Sequence, residues 1–434
     1  MVNLPADFVA ETRRIMGDER YNRFVGAFDE EAPTSIRVNT KRYINCQLSI
    51  ANCQLNKVPW CAEGYYLNNR PQFTFDPLLH AGCYYVQEAS SMFVTHILRS
   101  INQHLSPATY HLALDLCAAP GGKSTALRSV LPDDCVLISN EPMGNRAQIL
   151  LENVTKWGGP NHIVTNNYPR DFRKAKLKFF DKRSGTAGFD LILCDVPCSG
   201  EGMFRKDPNA ISEWSALNVE KCWQLQREIV ADAWECLNPG GLLIYSTCTY
   251  NTKENEENIR WILDTYDAQV LDIPVDPSWN ITGSLLQGFN EPVYRFIPGI
   301  TRGEGLFVCA LRKNTRKDEG ERSKEISSAD IIKNKNLKVL DPGILLPPSS
   351  LLPPKVDVDY ATALKYLRGE ALVLPADTPR GIVTITYQGQ PLGPAKNIGN
   401  RANNLYPKAW RIKSTHLPSE PPEVINIRTT EEVL

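Results

Sequence analysis

Residues 111–124 read HLALDLCAAPGGKS, and this stretch decides the fold. Its first half is mostly apolar and has the length of a buried strand. Its second half consists of small residues and two glycines, which let the chain turn tightly into a helix that runs to about Leu131. A buried strand, a glycine-containing turn and a helix form the opening unit of a nucleotide-binding α/β fold. The stretch therefore predicts a ligand site at its turn.

The same alternation of apolar strand and amphipathic helix continues along the chain. Further strands are predicted at residues 135–141, 162–165, 189–194, 241–245 and 305–311. Helices are predicted between them, at about residues 145–157 and 219–237. Strands that alternate with helices form a doubly wound, mostly parallel sheet, in which ligands bind beyond the carboxyl ends of the strands. We therefore predict an α/β domain whose functional residues lie at one end of the sheet.

A chain of 434 residues is too long for one average domain. Polar residues of mixed charge follow the last predicted strand, and a proline-rich stretch at 346–354 is typical of a stiff spacer. The tail predicts a helix at 360–367, a strand at 381–387 and a hairpin turn at Gly389. We predict an N-terminal α+β region at 1–105 and the α/β domain at 106–313. A linker with its spacer follows at 314–355, and a small C-terminal domain at 356–434.

The composition is that of an ordinary soluble protein, because 42% hydrophobic and 22% charged residues are enough for a core and a solvated surface. No apolar run approaches the roughly 18 residues of a membrane span. Asp7 and Glu11 interrupt the apolar residues near the N-terminus, which is unlike a signal peptide. We therefore expect a cytoplasmic protein without a membrane partner. The net charge of −1 neither favours nor excludes nucleic acid, since a local basic groove can exist on a neutral protein.

The 12 cysteines are scattered, with no Cys-x-x-Cys pair and no Cys/His cluster at zinc spacing. We expect no metal, and most thiols should behave as small buried hydrophobes. Cys194, Cys222, Cys236 and Cys309 fit that description. The sequence does not fix the oligomeric state and is compatible with a monomer.

The turn after the first strand is the first candidate binding site. Gly122-Lys123-Ser124 fits the end of a phosphate-binding loop, but Cys117 stands where that loop requires its first glycine. A triphosphate is therefore disfavoured. Glu141 ends the next strand, where an acid can hold ribose hydroxyls. The pair favours an adenosine-containing cofactor such as S-adenosylmethionine, whose carboxylate can meet the helix N-terminus. The alternative is a plain strand–helix turn with an exposed glutamate.

An acid and a thiol follow the strand at 189–194. Residues 195–198 read DVPC, which places an acid, a rigid proline and a thiol at a strand end. Asp195 can hydrogen-bond the ring nitrogen and the exocyclic amine of a cytosine, as acids do in base recognition. The alternative is that Cys198 is a buried thiol and Asp195 a helix cap.

A second thiol, Cys248, follows the strand at 241–245. Asn251 and Glu254 are typical of a helix cap, and the dipole of a helix starting there would favour the thiolate of Cys248. Two thiols at two strand ends predict covalent chemistry on an electrophilic carbon. A redox pair is the alternative, although no other motif calls for one. The sequence alone lets either thiol be the nucleophile.

Three motifs in order, LDLCAAPGGK at 114–123, DVPCSGEG at 195–202 and YSTCT at 245–249, closely resemble the Nop/Sun family of RNA 5-methylcytosine methyltransferases. The resemblance extends over roughly residues 1–313 and implies a Rossmann-like methyltransferase domain preceded by an RNA-binding region. The tail, with NLYPK at 404–408, resembles the PUA-like RNA-binding module of the bacterial F-type small-subunit rRNA enzymes.

Carried over position by position, the resemblance makes Cys248 the nucleophile that attacks carbon 6 of the target cytosine. It implies that Asp195 supports this step at the ring nitrogen, and that Cys198 assists proton loss at carbon 5 and release of the adduct. Lys123 is expected to reach the active site as well. The implied cofactor-binding residues are Cys117, Ala118, Ala119, Pro120, Gly121, Gly122, Lys123, Glu141, Asn167 and Asp195.

Two positions depart from the family pattern. Many relatives have an acid near the adenine after the third strand, where this chain has TNNY at 165–168, and Asn167 is expected to substitute for it. Val196 replaces the usual alanine between the acid and the proline, which would narrow the pocket. The resulting hypothesis is S-adenosylmethionine-dependent methylation of cytosine carbon 5 in RNA, with small-subunit rRNA as the partner. The alternatives are the same chemistry on tRNA and a non-catalytic RNA-binding factor in ribosome assembly.

Overall fold

The computed structural model describes residues 2–42, 46–49, 56–105, 110–179, 188–314, 328–341, 353–422 and 424–429. Nearly all of the proline-rich spacer predicted at 346–354, and much of the linker before it, lies outside these residues. The α-helices are α1 Ala6–Met16, α2 Asp18–Gly26, α3 Pro77–His80, α4 Phe93–Ser100, α5 Gly122–Val130, α6 Gly144–Trp157, α7 Pro169–Phe179, α8 Pro208–Glu213, α9 Ala216–Cys236, α10 Glu256–Thr265, α11 Ser328–Ile332 and α12 Tyr360–Leu367.

The strands follow the predicted alternation closely in the middle of the chain. They are β1 Ser35–Val38, β2 Cys46–Ser49, β3 Gly64–Tyr66, β4 Tyr84–Val86, β5 Leu112–Asp115, β6 Val136–Asn140, β7 His162–Thr165, β8 Phe189–Asp195, β9 Leu237–Thr247, β10 Ala268–Val270, β11 Tyr294–Phe296, β12 Leu306–Lys313, β13 Val339–Leu340, β14 Lys355–Asp357, β15 Gly381–Tyr387, β16 Gln390–Asn397, β17 Ala402–Asn404 and β18 Asn426–Thr429. Short 3₁₀ turns lie at Ala27–Asp29, Thr40–Arg42, Phe73–Phe75, Ser90–Met92, Glu201–Met203, Pro277–Trp279 and Lys408–Trp410, and a π-turn lies at Ile101–Leu105.

The central sheet has the order β10-β12-β9-β8-β5-β6-β7-β13, with β11 paired to β12. Strands β5 to β9 are mutually parallel, whereas β12 runs antiparallel to β9 and β13 antiparallel to β7. The prediction of a doubly wound, mostly parallel sheet is confirmed. Strand β5 lies between β6 and β8, so the chain order reverses at its carboxyl end, where ligands bind in such sheets.

The sheet is buried on both faces, which explains why its strands read as continuous apolar runs. Successive side chains of a strand point to opposite faces. Leu114 and Ile192 therefore enter one apolar cluster, while Ala113 and Leu191 enter another. The packing of helices on both faces leaves only the strand ends open for chemistry.

Arg37 fastens the N-terminal region to the helix that follows the glycine-containing turn. Its strand β1 lies between β3 and β4 in an antiparallel sheet. The fully buried guanidinium donates to Oε1 of Gln87 at 2.8 Å, Oγ1 of Thr125 at 2.6 Å and Oγ of Ser129 at 2.9 Å, and it lies 4.2 Å from the centre of the Trp157 ring. Burial lowers the pKa of Arg37 to about 10. Helix α5 is thus held by the N-terminal region as well as by the sheet.

The C-terminal region forms a sheet of order β14-β15-β16-β17. The helix and strand predicted at 360–367 and 381–387 are present, and the predicted hairpin turns at Gln388-Gly389, where both residues have positive φ. This sheet shares one apolar cluster with the N-terminal region, in which Ile36 and Leu78 lie with Tyr366 and Ile385. The predicted boundary at 356 therefore marks a change of sheet along the chain, while the tail packs against the N-terminal region.

The segment predicted as a linker contributes to the central sheet. Helix α11 and strand β13 belong to it, and β13 pairs with the edge of β7. The backbone N–H of Asn166 also donates to the carbonyl of Lys338 at 2.9 Å. Part of the segment is therefore fixed structure at the edge of the domain.

Candidate active site

The two predicted thiols meet at the carboxyl ends of β8 and β9. These strands are parallel neighbours in which Asp195 lies opposite Ser246. The loops that follow bring the sulfur atoms of Cys198 and Cys248 within 3.2 Å, and both side chains are half-buried free thiols. The spacing is that of a thiol hydrogen bond, so the two groups share one environment.

The two cysteine loops are bonded to each other through their backbones. The N–H of Gly202 donates to the carbonyl of Cys248 at 2.7 Å, and the hydroxyls of Ser199 and Thr249 lie 3.0 Å apart. A Cβ atom at position 202 would stand 2.3 Å from that carbonyl oxygen, which is far inside van der Waals contact. Only glycine lets the loops approach this closely.

Gly202→Ala is expected to separate the two loops and destabilise the protein by about 2–4 kcal/mol, because the clash is with backbone rather than with a flexible side chain. Urea unfolding would measure this loss. The matched control is Gly200→Ala in the same loop, where the added Cβ meets nothing within 4 Å but φ is +79°, so a loss of about 1 kcal/mol is expected. Equal losses in the two variants would contradict the close-approach argument.

Asp195 and Lys123 form an ion pair in front of the thiols. Nζ of Lys123 lies 2.8 Å from Oδ2 of Asp195, and the Ser246 hydroxyl donates to Oδ1 at 2.7 Å. Burial lowers the pKa of Lys123, but the charge and hydrogen bond of Asp195 and the charge of Cys248 outweigh it and raise the pKa overall. The side chains keep 17% and 30% of their surface exposed, so a ligand can reach this pair.

The helix expected directly after Cys248 is not there, and that prediction is wrong. Asn251 and Glu254 do exchange the hydrogen bonds of a cap, from Glu254 N–H to Asn251 Oδ1 and from Asn251 Nδ2 to Glu254 Oε1, both 2.8 Å. They form a turn that precedes helix α10, which begins at Glu256. A helix dipole acts mainly within its first turn, so it does not reach Cys248. Within the described part of the chain, the ammonium of Lys123 is a positive charge that interacts with this thiol.

The glycine-containing turn exposes the start of helix α5 at the same end of the sheet. Gly121 has φ of +116°, a left-handed conformation that favours glycine, and α5 begins at the next residue. The carbonyl of Pro120 accepts hydrogen bonds from Nδ2 of Asn153 at 2.8 Å and from the hydroxyl of Tyr85 at 3.2 Å. The carbonyl of Ala119 accepts from Arg146 at 3.0 Å. The carbonyls are thus held by side chains, and the helix N-terminus remains available to an anion.

Asp115, at the end of β5, is a site residue that the sequence reasoning missed. Its Oδ2 accepts from the Ser124 hydroxyl at 2.6 Å, whereas its fully buried Oδ1 has no hydrogen-bond partner within the part of the chain that the structure describes. Burial raises the pKa of Asp115 to about 7. Its signal was a lone acid inside an apolar strand, immediately before the turn.

Glu141 lies at the end of β6 with 1% of its surface exposed, which rules out the alternative of an exposed glutamate. One oxygen accepts from the Met143 N–H at 2.9 Å, and the other lies 3.5 Å from Nη1 of Arg146. Buried carboxylates at β5 and β6, beside a free helix N-terminus, fit a zwitterionic amino acid joined to a ribose. The residues present therefore fit S-adenosylmethionine, and residues 117–123 and Glu141 are the ones that would hold it.

Asn167 follows strand β7, and its side chain hydrogen-bonds the backbone of Lys338 next to strand β13. Its Oδ1 accepts from the Lys338 N–H at 2.9 Å, and its Nδ2 donates to the Lys338 carbonyl at 3.3 Å. Its contact with an adenine ring stays a prediction.

Val196 is buried in the apolar cluster of one sheet face. Burial raises the pKa of the Cys117 thiol well above its ordinary value, so this cysteine acts as a small residue of the turn.

The three motifs of the site lie at the same end of the sheet, and family models were compared with the whole chain. Family models match residues 4–89 as the N-terminal domain of 16S rRNA methyltransferase RsmF, residues 102–312 as 16S rRNA methyltransferase RsmB/F, and residues 353–412 as the RsmF PUA domain. This chain belongs to the RsmB/F family. The predicted resemblance is confirmed, and the prediction of a methyltransferase that uses S-adenosylmethionine is confirmed at the level of the family.

Curated relatives agree with this assignment. The chain is 35% identical to ribosomal RNA small subunit methyltransferase F of Pectobacterium atrosepticum, over 72% of this chain and 63% of the relative. It thus spans less than two thirds of that relative. It is 29% identical to the enzyme of the same name from Serratia proteamaculans, over 94% of this chain and 96% of the relative.

Solved structures show the same fold. A methyltransferase homolog from Pyrococcus horikoshii matches with a TM-score of 0.53 and 26% identity, over 71% of this chain and all of the other. NSun6 from Pyrococcus horikoshii, solved with SFG, matches with a TM-score of 0.54 and 19% identity, over 72% of this chain and 99% of the other. Among the described residues, no helix is long and apolar enough to cross a membrane. Across the same residues, no group of three or more His, Cys, Asp or Glu could hold a metal ion.

Proposed function

We propose that the protein transfers a methyl group from S-adenosylmethionine to carbon 5 of a cytosine in RNA, with small-subunit rRNA as the substrate and the cytoplasm as its location. One observation carries the proposal. The thiols of Cys198 and Cys248 lie 3.2 Å apart beside the Asp195–Lys123 ion pair, at the sheet end that also presents the glycine-containing turn. The names of the family and of its curated rRNA methyltransferases support the substrate class.

The thiolate of Cys248 starts the reaction, because carbon 5 of cytosine is a weak nucleophile until a thiolate adds to carbon 6. A carbon 6–sulfur bond forms while Asp195 passes a proton from solvent to ring nitrogen 3, so that electron density collects at carbon 5 without net negative charge on the ring. Ring nitrogen 3 returns this proton through Asp195 when the adduct is released. The ammonium of Lys123 keeps the Asp195 carboxylate in place and stabilises negative charge at the site. S-adenosylmethionine, when bound, supplies an electrophilic methyl group for carbon 5.

Cys198 ends the reaction as a base. Its thiolate takes the proton from carbon 5, and the electron pair of that bond closes the carbon 5–carbon 6 double bond. The electron pair of the carbon 6–sulfur bond returns to Cys248 as a thiolate. One methyl group is gained and one proton is released for each turnover.

The test is methyl transfer. The protein would be incubated with methyl-labelled S-adenosylmethionine and with naked rRNA, assembled small subunits or tRNA from cells lacking the gene, and 5-methylcytosine would be mapped. Label in rRNA or the small subunit is the expected result. Label found in tRNA alone would show that tRNA, not rRNA, is the substrate. RNA binding without methyl transfer to any of the three RNAs would favour a non-catalytic assembly factor.

RNA binding by the C-terminal region can be tested without deleting it, since deletion would expose the core it shares with the N-terminal region. Lys396 of β16 and Arg401 of the following turn are both exposed. Replacing both by alanine is expected to weaken RNA binding and to lower the slope of log affinity against log salt by about 1 per lost phosphate contact. Lys365→Ala, on helix α12, is the control. An unchanged slope in the double variant would contradict an RNA contact at this face.

A further inference from the structure

Glu254 is buried between the two cysteine loops. One carboxylate oxygen accepts hydrogen bonds from the backbone N–H of Ser199 at 3.0 Å and from Nε2 of Gln226 at 2.7 Å. The other accepts from Nδ2 of Asn251 at 2.8 Å. Ser199 belongs to the first thiol loop, Asn251 to the second, and Gln226 to helix α9. A single carboxylate thus joins both loops to the helix behind them.

The charges on the two sides of the thiol pair have opposite signs. The pKa of the Cys198 thiol is raised well above its ordinary value, first by the hydrogen bond to Cys248, then by burial and by the negative charges of Cys248 and Glu254. The ammonium of Lys123 instead interacts favourably with a Cys248 thiolate. Both effects favour Cys198 as the donor of the hydrogen bond across 3.2 Å.

We propose that Glu254 is a positioning residue that fixes Cys198 against Cys248 and, through its negative charge, gives the two thiols different roles. This inference rests on the function proposed above. In this arrangement Cys198 donates the hydrogen bond between the sulfurs, and Cys248 is the thiol that attacks carbon 6. The order of the two cysteines, which the sequence left open, then follows from the charges around them.

The same arrangement determines when Cys198 can act as a base. Once Cys248 is bonded to carbon 6 its sulfur is a neutral thioether, which accepts hydrogen bonds only weakly and carries no charge. The hydrogen bond to Cys248, which is the main cause of the raised pKa of Cys198, is then lost, and the proton of Cys198 leaves to solvent. Glu254 still acts on the Cys198 thiolate and makes it a stronger base for the carbon 5 proton. Cys198 thus becomes a base only after the attack has happened.

Glu201 provides a matched control. It is also buried, and its oxygens accept from the N–H of Tyr250 at 2.6 Å, from the N–H and Nδ2 of Asn251 at 3.0 and 2.9 Å, and from Trp214 at 3.1 Å. It therefore supports the Cys248 loop as strongly as Glu254 does, but it makes no hydrogen bond to Ser199. A purely structural effect should appear in variants of both residues.

The first experiment measures Cys198 directly in the full-length protein, without RNA or cofactor. Peptide mass spectrometry would follow the rate of Cys198 alkylation by iodoacetamide against pH in Cys248→Ala, which removes the hydrogen bond between the thiols. Titratable groups from all surrounding elements are Lys123, Asp195, Glu201, Cys222, Tyr245, Tyr250 and Glu254. Burial raises the pKa of Glu254 to about 7, so it is charged where thiols titrate.

Adding Glu254→Gln to Cys248→Ala is expected to lower the midpoint of the Cys198 profile by about one pH unit, whereas adding Glu201→Gln shifts it by less than about 0.3. Loosening of the loop would raise the plateau rate without moving the midpoint. Glu254→Asp keeps the charge and should keep the midpoint, which preserves the test if the glutamine variant does not fold. Equal midpoints for all variants, or equal shifts for both glutamine variants, would overturn the proposal.

The second experiment uses RNA and S-adenosylmethionine with both cysteines present. Glu254→Gln is expected to form the covalent adduct at a rate within about threefold of the parent but to retain about tenfold more of it at steady state, because Cys198 is a weaker base. Glu201→Gln should slow formation and release together. Adduct that does not accumulate in Glu254→Gln would count against the proposal. If the parent transfers no methyl group the proposed function fails, while the alkylation profiles still decide the role of Glu254.

Discussion

Cys248→Ala is expected to lower methyl transfer by about four orders of magnitude or more and to abolish the covalent RNA–protein adduct, because it removes the sulfur that bonds to carbon 6. Cys198→Ala is expected to lose turnover as well, but with a covalent adduct that accumulates. The attack needs only Cys248, whereas release needs a base at carbon 5. Single-turnover methyl transfer and a denaturing gel of labelled RNA distinguish the two outcomes.

The control for this pair is Cys222→Ala. Cys222 lies on helix α9, is half-buried and takes no part in the contact between the two thiols. It should retain methyl transfer within about twofold and show no adduct beyond the parent level. Adduct in Cys248→Ala and none in Cys198→Ala would reverse the two roles. It would also remove the basis for the asymmetry assigned to Glu254 and Lys123.

The fold and the location of the site could be predicted from sequence because both depend on local patterns. Apolar runs of strand length, separated by amphipathic helices, gave β5 to β9 within a few residues. The parallel sheet then brings the ends of β8 and β9 together, so Cys198 and Cys248 had to be neighbours. The helix after Cys248 was misplaced because Asn251 and Glu254 have the spacing of a capping pair but form a separate turn.

Contacts between distant segments could not be predicted in this way. Nothing local indicates that Arg37 of β1 donates to Thr125 of α5, or that Ile36 shares a core with Ile385. The role of Asp115 was hidden because one acid in an apolar strand has several explanations, and only its burial with an unpartnered oxygen selects one. Sequence patterns report which face or end a residue occupies, while the partners depend on packing across the whole molecule.

Asp195→Asn is expected to lower kcat/KM for methyl transfer by about 10³-fold, which corresponds to about 4 kcal/mol of transition-state stabilisation. The amide cannot pass a proton to ring nitrogen 3 during the attack, and it lacks the negative charge that holds Lys123 at 2.8 Å. Because the side chain of Asp195 is 30% exposed, the free energy of unfolding should change by less than about 1 kcal/mol. Single-turnover kinetics and urea unfolding measure the two quantities separately.

Lys123→Met distinguishes the ion pair of Asp195 with Lys123 from the action of Asp195 at the ring nitrogen. If the ion pair acts as a unit, Lys123→Met should cost about 10²-fold alone, and the double variant should be little worse than Asp195→Asn, because the charge that Lys123 orients is already gone. Additive losses would mean that Lys123 acts on the cofactor or the thiols independently of Asp195. A loss below about tenfold in Asp195→Asn would contradict a contact between this carboxylate and the reacting ring, and would leave the attack by Cys248 to depend on Lys123 alone.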